Sequence, residues 1–174
     1  MDRVLIRKAT FQDAAEIANV HINSWREAYH GLIHEDFLND RPLQFKNHYS
    51  LWKKVTLNEN QTTFVAESDE HGIIGFINGA MGRDKGMQDQ VEIWCLYLLE
   101  KYQGKKIGFN LLKNFFNKYK EIGHHKGYAW VLKNNPSVSF YEVTGAKFNG
   151  QTKDEKVGLH QLPHLCYSWN KLNL

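Results

Sequence analysis

The stretch that decides the fold is VEIWCLYLLEKYQGKKIGFN, residues 91 to 110. It begins as an apolar run of the strand type, breaks at a short basic turn that contains two glycines, and then enters a helical pattern. The start of a helix carries unpaired backbone N–H groups and the positive end of the helix dipole, which together favour a phosphate group. The turn therefore predicts a site for a diphosphate or a phosphorylated cofactor at Gln103-Gly104-Lys105-Lys106-Ile107-Gly108.

The spacing of these glycines excludes two common phosphate-binding loops. A Walker loop needs G-x-x-x-x-G-K-[ST], and a dinucleotide fold needs G-x-G-x-x-G shortly after a strand. Neither spacing occurs at residues 103–108. The turn alone therefore leaves the identity of the phosphate ligand open.

Length and composition indicate one globular domain over residues 1–174. Hydrophobic residues make up 42% of the chain, charged residues 24%, and the formal net charge is +3. Without a dense basic cluster and interleaved aromatic residues, we expect no binding of nucleic acid. Because no apolar run approaches the roughly 20 residues of a membrane span and no secretory signal opens the chain, we expect a cytoplasmic protein without membrane contact. Cys95 and Cys166 would then be buried free thiols.

Hydrophobic periodicity predicts strand meanders mixed with crossover helices. The expected strands are 4–8, 62–67, 72–79, one that starts at 91, 127–132, and two over 147–171 around a polar loop with Gly158, His160, Pro163 and His164. The expected helices are 11–30, 34–38, 43–55, one from 107, and one from Pro136 to Gly145 with Asn135 as its cap. This order favours an α+β sheet with helices on both faces over a doubly wound sheet.

A second informative segment is WVLKNNPSVSFYEVTGA, residues 130–146. Together the two segments resemble the GNAT superfamily of acetyltransferases. The first resembles the signature Q/R-x-x-G-x-G/A at Gln103, Lys106 and Gly108, with Lys106 in the place of the middle glycine. The second carries the family's Asn, Phe-Tyr and Gly positions, with Ala146 where Phe or Gly is usual, at Asn134, Asn135, Pro136, Phe140, Tyr141 and Gly145.

The similarity extends over almost the whole chain, because SWREAYHGLI near the end of the first long helix and the terminal CYSWNKL strand also resemble a broad bacterial branch of the family. It implies a mostly antiparallel sheet of six to seven strands, splayed between the fourth and fifth strands. It also implies that the acetyl group of acetyl-CoA, as co-substrate, passes to a primary amine of a small molecule by direct attack in a ternary complex.

The resemblance assigns the coenzyme to three parts of the chain. The backbone of Leu96, Tyr97 and Leu98 would pair with pantetheine, and an N–H group there would donate to the thioester oxygen. The main chain of residues 103–108 would hold the pyrophosphate. The remaining contacts would come from Phe140 and from one of the neighbouring residues Asn134 and Asn135, although the latter pair also fits a helix cap.

Two residues are implied for proton transfer. Tyr141 matches the general acid that protonates the departing CoA thiolate; its alternative is a packed core tyrosine. Glu92 stands eleven residues before Gln103, the offset of the glutamate base in the histone-acetylating branch. Burial in a strand predicts a raised pKa for Glu92, which suits a base, whereas a chain of waters or a surface glutamate are the alternatives.

The acceptor side is expected to be aromatic. Trp25 and Tyr29 lie one helical turn apart and would form a wall with Trp94, unless they only pack the helix on the sheet. His160 and His164 would line the mouth of the pocket. No pair of histidines has H-x-x-x-H spacing on a helix and no cysteine–histidine cluster has zinc spacing, so we expect no metal.

Two other functions stay open. A protein modifier that acts on an N-terminal amine or a lysine would need an open acidic groove, which the mildly basic composition does not favour. A catalytically silent sensor of acyl-CoA would keep only the cofactor fold, which Glu92 and Tyr141 argue against. The oligomeric state is open, and a homodimer could form by pairing of the C-terminal strand.

Overall fold

Strands and helices alternate along the described part of the chain, which in this computed structural model comprises residues 2–31, 35–157 and 160–174. The strands are β1 Val4–Lys8, β2 Thr62–Ser68, β3 Gly72–Met81, β4 Val91–Leu98, β5 Gly127–Leu132, β6 Lys147–Val157 and β7 His160–Trp169. The helices are α1 Ala14–Tyr29, α2 Glu35–Asn39, α3 Arg41–Leu57, α4 Ile107–Glu121 and α5 Val138–Val143, with 3₁₀ turns at Phe11–Asp13 and Glu100–Tyr102.

The seven strands form one sheet in the order β1-β2-β3-β4-β5-β7-β6. β1, β2 and β3 pair antiparallel, as do β5 with β7 and β7 with β6. β4 and β5 are parallel, because α4 carries the chain back between them, and their described register joins 91–93 to 127–129. The expected mixed fold with a mostly antiparallel sheet is confirmed.

Internal contacts divide the chain into two compact units, and neither is continuous in sequence. The first comprises Met1–Gly79 and Cys95–Phe115, and the second comprises Ala80–Trp94 and Phe116–Leu174. One domain over 1–174 stays a prediction. Among the described residues, no helix combines the length and apolar character that crossing a membrane requires.

The first unit has a core between α1, α3 and the sheet. The apolar side of α1 contributes Ala14, Ile17 and Ala18, all fully buried, because spacings of three and four residues put them on one helical face. Trp52 of α3 packs edge-on against Phe76 of β3, with ring centroids 4.7 Å apart. This packing holds α1 and α3 against the strands that lead into β4.

The second unit is built around β5 and β7. Trp169 is buried beside Phe116 of α4, with ring centroids 5.1 Å apart, and its indole N–H donates to the Thr144 carbonyl oxygen at 3.1 Å. Cys166 is a buried free thiol and Cys95, in the first unit, is a half-buried one. The prediction of two buried thiols is therefore correct for Cys166 only.

The start of α5 differs from the prediction. The helix begins at Val138 with Ser137 as its N-cap, two residues later than a start at Pro136 would give. The Asn135 side chain accepts the Ser137 N–H at 2.9 Å, so Asn135 forms a turn before the helix and is not its cap.

The C-terminal hairpin corrects two further predictions. His160, Pro163 and His164 lie within β7 and not in a loop, while Gly158 lies outside the described residues. β7 pairs with β5 on one side and with β6 on the other, so it has no free edge for pairing with a second copy. Pairing of a second copy along an edge of β7 is therefore excluded in this arrangement of strands, whereas a homodimer itself stays a prediction.

Candidate active site

The turn after β4 leaves its backbone donors unpaired. The Gln103 N–H still donates to the Glu100 carbonyl oxygen at 3.0 Å, and the next backbone donor to find a partner is Asn110, bonded to Lys106 at 3.0 Å. Within the described chain, the amides of 104–109 donate no hydrogen bond. Six consecutive N–H groups at the start of α4 are therefore available to an anion.

Lys106 occupies a backbone position that ordinarily requires glycine. Its φ is 62° and that of Gly104 is 73°, so both are left-handed. A side chain costs about 1–2 kcal/mol in this conformation. The signature's middle position therefore keeps its left-handed backbone although the residue there is a lysine.

Side chains also surround this turn. The Gln103 side-chain amide donates to the Leu98 carbonyl oxygen at 3.2 Å, so that carbonyl already has a partner. Tyr102 is buried between two ammonium groups, with Lys101 Nζ at 4.9 Å and Lys105 Nζ at 5.3 Å from its ring centroid. The aromatic ring thus keeps two cations next to the unpaired amides.

The second half of β4 runs close to β3. A Cβ atom at Gly75 would lie 2.9 Å from the Tyr97 carbonyl oxygen and 2.7 Å from a Leu98 methyl group, so glycine is needed there. Residues 96–98 are half-buried, and the sequence had indicated a more uniformly buried strand.

Trp25 and Tyr29 belong to an aromatic cluster on α1. Their ring centroids are 5.1 Å apart, and Trp25 Nε1 donates to the Tyr97 hydroxyl at 2.7 Å. His21 stacks on Tyr97 at 5.1 Å and accepts a hydrogen bond from Trp52 Nε1 at 3.1 Å. Burial lowers the pKa of His21 to about 3 and raises that of Tyr97, so both side chains are uncharged at neutral pH.

A cavity of about 1040 Å³ lies along a different face of α1. Asn23, Glu27 and His30 line it from the helix, and Glu100 lines it from the turn after β4. The Glu27 carboxylate accepts a hydrogen bond from the Glu100 backbone N–H at 3.0 Å, which connects the wall formed by α1 with the wall formed by the turn after β4. Trp25 and Tyr29 do not line this cavity. The sequence analysis missed these polar residues, although their spacing of three and four places them on one helical face.

Glu92 is buried in an ion pair that the sequence analysis missed. Arg83 Nε and Nη2 each donate to a different Glu92 oxygen at 2.9 Å, and the Arg83 backbone N–H adds a longer bond of 3.3 Å. Burial favours a higher pKa for Glu92, but the hydrogen bonds and charge of Arg83 outweigh it and bring the pKa below the usual value. The predicted raised pKa is therefore wrong.

The connection between β3 and β4 is fixed by further side chains. Arg83 lies over the Trp94 ring, with Cζ 4.2 Å from the ring centroid, so the guanidinium covers a face of the third aromatic residue predicted for the acceptor wall. The Tyr128 hydroxyl accepts the backbone N–H groups of Arg83 at 3.2 Å and Asp84 at 3.4 Å. Trp130 Nε1 donates to Asp84 at 2.9 Å.

The segment that carries the predicted acid lies in the second unit. Tyr141 is 8% exposed, and its ring centroid is 5.7 Å from that of Trp169 and 5.6 Å from that of Phe140. Asn134 has a left-handed backbone with φ of 69°, which asparagine tolerates, whereas the neighbouring Asn135 is buried. The segment therefore presents Asn134 and Asn135 in two different conformations.

The remaining predicted residues have ordinary surroundings. His160 is exposed, and His164 is buried with Nδ1 2.9 Å from the Leu162 carbonyl oxygen. The exposed Glu70 and His71, together with Asp2, bring three possible metal-ligating atoms within 4.8 Å of one another. Asp2 in this group already accepts hydrogen bonds of 2.7 and 2.8 Å from the Ser68 hydroxyl.

Comparison with known proteins identifies the class. Over residues 20–146 the chain matches the acetyltransferase (GNAT) family. This range is more than half of the chain, so the protein belongs to the GNAT family of acetyltransferases. The predicted membership of the GNAT superfamily is thereby confirmed.

Similar proteins cover nearly the whole chain. YuaI of Bacillus subtilis strain 168, described as an uncharacterized N-acetyltransferase, is 29% identical over 170 residues, which are 98% of this chain and 95% of YuaI. The structure of PaiA N-acetyltransferase from Thermoplasma acidophilum in complex with coenzyme A matches with a TM-score of 0.74 and 23% identity, over 95% of this chain and 98% of that one. YncA from Salmonella typhimurium with its cofactor acetyl-CoA matches with a TM-score of 0.70 and 19% identity, over 99% and 95%. At these identities the two structures show the fold.

Proposed function

We propose that this GNAT acetyltransferase uses acetyl-CoA to acetylate a primary amine of a small molecule. The observation that carries the proposal is the run of unpaired amides at residues 104–109, at the start of α4. Family membership and the coenzymes in the structures of PaiA and YncA support it further.

The residues around the turn fit the pyrophosphate of coenzyme A. Backbone N–H groups and the positive end of α4 favour an anion, and Lys105 and Lys106 add charge. Main-chain groups of Leu96, Tyr97 and Leu98 are proposed to pair with pantetheine. The Leu98 carbonyl oxygen is engaged by Gln103, so in this proposal Leu96 and Tyr97 supply the principal contacts.

Tyr141 is the proposed general acid. When acetyl-CoA is bound it supplies an activated thioester, and the thiolate that departs needs a proton. A phenol with an ordinary pKa of about 10 can donate to a thiolate whose conjugate acid has a pKa of about 8.5. Phe140 and Asn134 or Asn135 stay proposed contacts of the coenzyme.

The cavity in the first unit supports a small acceptor. Its volume of about 1040 Å³ is near the upper end of the range for pockets that hold small molecules. Polar groups of Glu27, His30 and Glu100 line it, which suits a polar molecule. Trp25, Tyr29, Trp94 and His160 stay proposed acceptor contacts from the sequence.

The cellular setting is proposed from the cysteines. Cys95 and Cys166 are free thiols, which suits the reducing cytoplasm. A homodimer is kept as a proposal without a defined interface.

Two measurements test the proposed function. Titration calorimetry with coenzyme A and acetyl-CoA should give saturable heats, and a panel of amines should release thiol from acetyl-CoA. Binding without turnover on any amine would favour the silent sensor, whereas turnover only with peptide amines would favour the protein modifier. Absence of heat with both coenzymes would contradict the proposal altogether.

The role of Tyr141 has its own test. Tyr141→Phe should lower kcat by about 10²-fold and leave the affinity for coenzyme A near normal, because the ring remains and only the proton donor is lost. Tyr167→Phe is a matched control, since Tyr167 is also a buried tyrosine of the second unit. Equal kcat values in the two variants would show that the Tyr141 phenol is structural.

A further inference from the structure

Arg83 and Glu92 form an ion pair whose two partners differ in exposure. The Glu92 side chain is 3% exposed, whereas that of Arg83 is 63% exposed. The carboxylate is therefore a fixed part of β4, while the cation reaches it from the connecting segment on the solvent side. A buried carboxylate without a cation is strongly unfavourable, so this position must be filled or protonated.

Glu92 and Trp94 together make a receptor for a positive charge. The carboxylate binds two N–H donors at 2.9 Å, and the indole ring lies 4.2 Å from the same guanidinium carbon. Alkylammonium groups are recognised by this same combination of a carboxylate and an aromatic face. Arg83 thus occupies a site whose chemistry also suits the protonated form of an amine substrate.

We propose that Glu92 and Trp94 bind the ammonium group of the acceptor, and that Arg83 is an internal stand-in which the acceptor displaces. The inference rests on the proposed function, because it concerns the amine of that reaction. It names the acceptor as a primary alkylammonium and makes Arg83 a competitor for its site.

Displacement of Arg83 also changes what Glu92 can do. The Arg83 guanidinium keeps its protons at any ordinary pH, whereas a bound alkylammonium can give one up, and once that proton has passed to Glu92 no cation is left to hold the pKa of the buried carboxyl down. One ammonium N–H bond breaks, the proton joins a Glu92 oxygen, and the electron pair stays on nitrogen as the nucleophile. Glu92 later releases this proton to water.

The other ionisable groups near this pair are few in the described structure. Tyr128 faces it from β5, and Asp84 faces it from the connection, where Lys153 of β6 lies close to Asp84. Burial and the Glu92 charge contribute to raising the pKa of Tyr128, so its hydroxyl stays neutral. Arg83 is therefore the group that sets the charge balance of Glu92.

Arg83→Gln tests the proposal, with Lys153→Gln as its matched control. Lys153 also lies 4.2 Å from a tryptophan ring, that of Trp130, and pairs with Glu155 at 2.7 Å. At pH 9, Arg83→Gln should lower KM for the best amine of the panel roughly ten-fold, because the competitor is gone. The acid limb of kcat/KM should move up by about one pH unit or more. Lys153→Gln should change neither.

Unchanged amine KM and unchanged acid limb in Arg83→Gln would overturn the proposal. Glu92→Gln should abolish the acid limb that Arg83→Gln shifts, and retention of the wild-type limb would also overturn it. Should Arg83→Gln fail to fold, labelling of wild-type arginines by phenylglyoxal, mapped by mass spectrometry, replaces it. Added n-propylammonium should then increase modification of Arg83 several-fold and leave Arg7 as it was; no increase would contradict displacement.

These outcomes are separable from the proposed function. Turnover of any amine by the wild-type protein supports the acetyltransferase proposal whatever Arg83→Gln does. Turnover with an unaffected Arg83→Gln variant removes only the stand-in role of Arg83.

Discussion

Residues 104–109 donate no backbone hydrogen bond within the described chain, whereas six of the nine backbone N–H groups of the connection 82–90 are bonded, those of Arg83 and Asp84 to buried side chains. The first follows β4 and the second precedes it. Gly104 in the loop has open space around it, while a Cβ atom at Gly82 would clash with the Met87 carbonyl oxygen. The backbone donors of the loop are thus open to an anion, while most of those of the connection are already bonded within the protein.

The two segments therefore differ in how the backbone N–H groups at the two ends of β4 are used. A ligand-binding loop must leave donors free, so its conformation is held by glycine and by local bonds such as Gln103 to Leu98. The connection is held by an ion pair and a tyrosine hydroxyl, so its backbone conformation depends on contacts within the protein. Substitutions in the first should affect coenzyme affinity, and those in the second should affect stability.

The largest effect is expected at the buried ion pair. Arg83→Gln should lower the free energy of unfolding by about 2–4 kcal/mol at pH 8, because it leaves the buried Glu92 charge unpaired, although the exposure of Arg83 makes the loss smaller than for a fully buried pair. Glu92→Gln should cost less, since the exposed Arg83 can be hydrated. Chemical denaturation of both variants measures the difference, and equal losses would show that Glu92 is accessible to water.

The same pair should change how stability depends on pH. The pKa of Glu92 is lower in the folded protein than in the unfolded chain, so its stabilisation is complete above the ordinary glutamate pKa and is lost as pH falls through the folded value. In Arg83→Gln burial dominates and the sign reverses, so this contribution should decline as pH rises above the ordinary value. Unfolding midpoints from pH 4 to pH 8 would reveal parallel curves if this assignment were incorrect.

A smaller loss is expected from added volume in the connection. Gly82→Ala should destabilise by about 1–3 kcal/mol, because the new methyl group meets the Met87 carbonyl and lies 2.9 Å from the Tyr128 hydroxyl. Gly86→Ala is the control for backbone strain without a steric contact, since Gly86 has nothing within 4 Å but a φ of 82°, so alanine there should cost about 1 kcal/mol. Thermal unfolding of both variants makes the comparison, and a smaller loss in Gly82→Ala than in Gly86→Ala would show that the connection yields.

A substitution in the loop of residues 103–108 should weaken coenzyme A binding, whereas one with a similar effect on stability elsewhere should not. Gly104→Ala and Gly123→Ala each place a side chain at a positive φ, 73° and 91°, with open space around it. Both should lose about 1 kcal/mol of stability. Only Gly104→Ala should weaken coenzyme A binding, by roughly ten-fold, which corresponds to about 1.4 kcal/mol. Equal affinities by calorimetry would mean that the loop amides do not hold the coenzyme.

The smallest effect concerns the unusual lysine. Lys106→Gly should raise the free energy of unfolding by less than about 1 kcal/mol, because glycine relieves the left-handed strain but adds freedom to the unfolded chain. Its affinity for coenzyme A should stay within about three-fold of the wild type if backbone amides make the main contacts. A much larger loss of affinity would assign that contact to the lysine ammonium group.

Local patterns were sufficient for most of the fold. β1 and β5 begin and end where periodicity placed them, at 4–8 and 127–132, because alternation and flanking breakers are written in adjacent residues. The start of α5 was misplaced because Asn135 and Ser137 are both good caps, and tertiary packing selects between them. The same limit applies to His164, which the sequence placed in a loop and β-pairing places in β7.

The candidate site likewise has one part that adjacent residues predict and another that depends on tertiary contacts. The sequence by itself determined the turn at 103–108 and its place before α4, and so predicted a phosphate site there, because a strand, a glycine-containing turn and a helix start are consecutive in the chain. Only the tertiary structure decided the state of Glu92, because its partner Arg83 reaches it across the connection between two strands. Burial alone raises the pKa of a carboxyl group, and a cation brought to it by the fold reverses the direction.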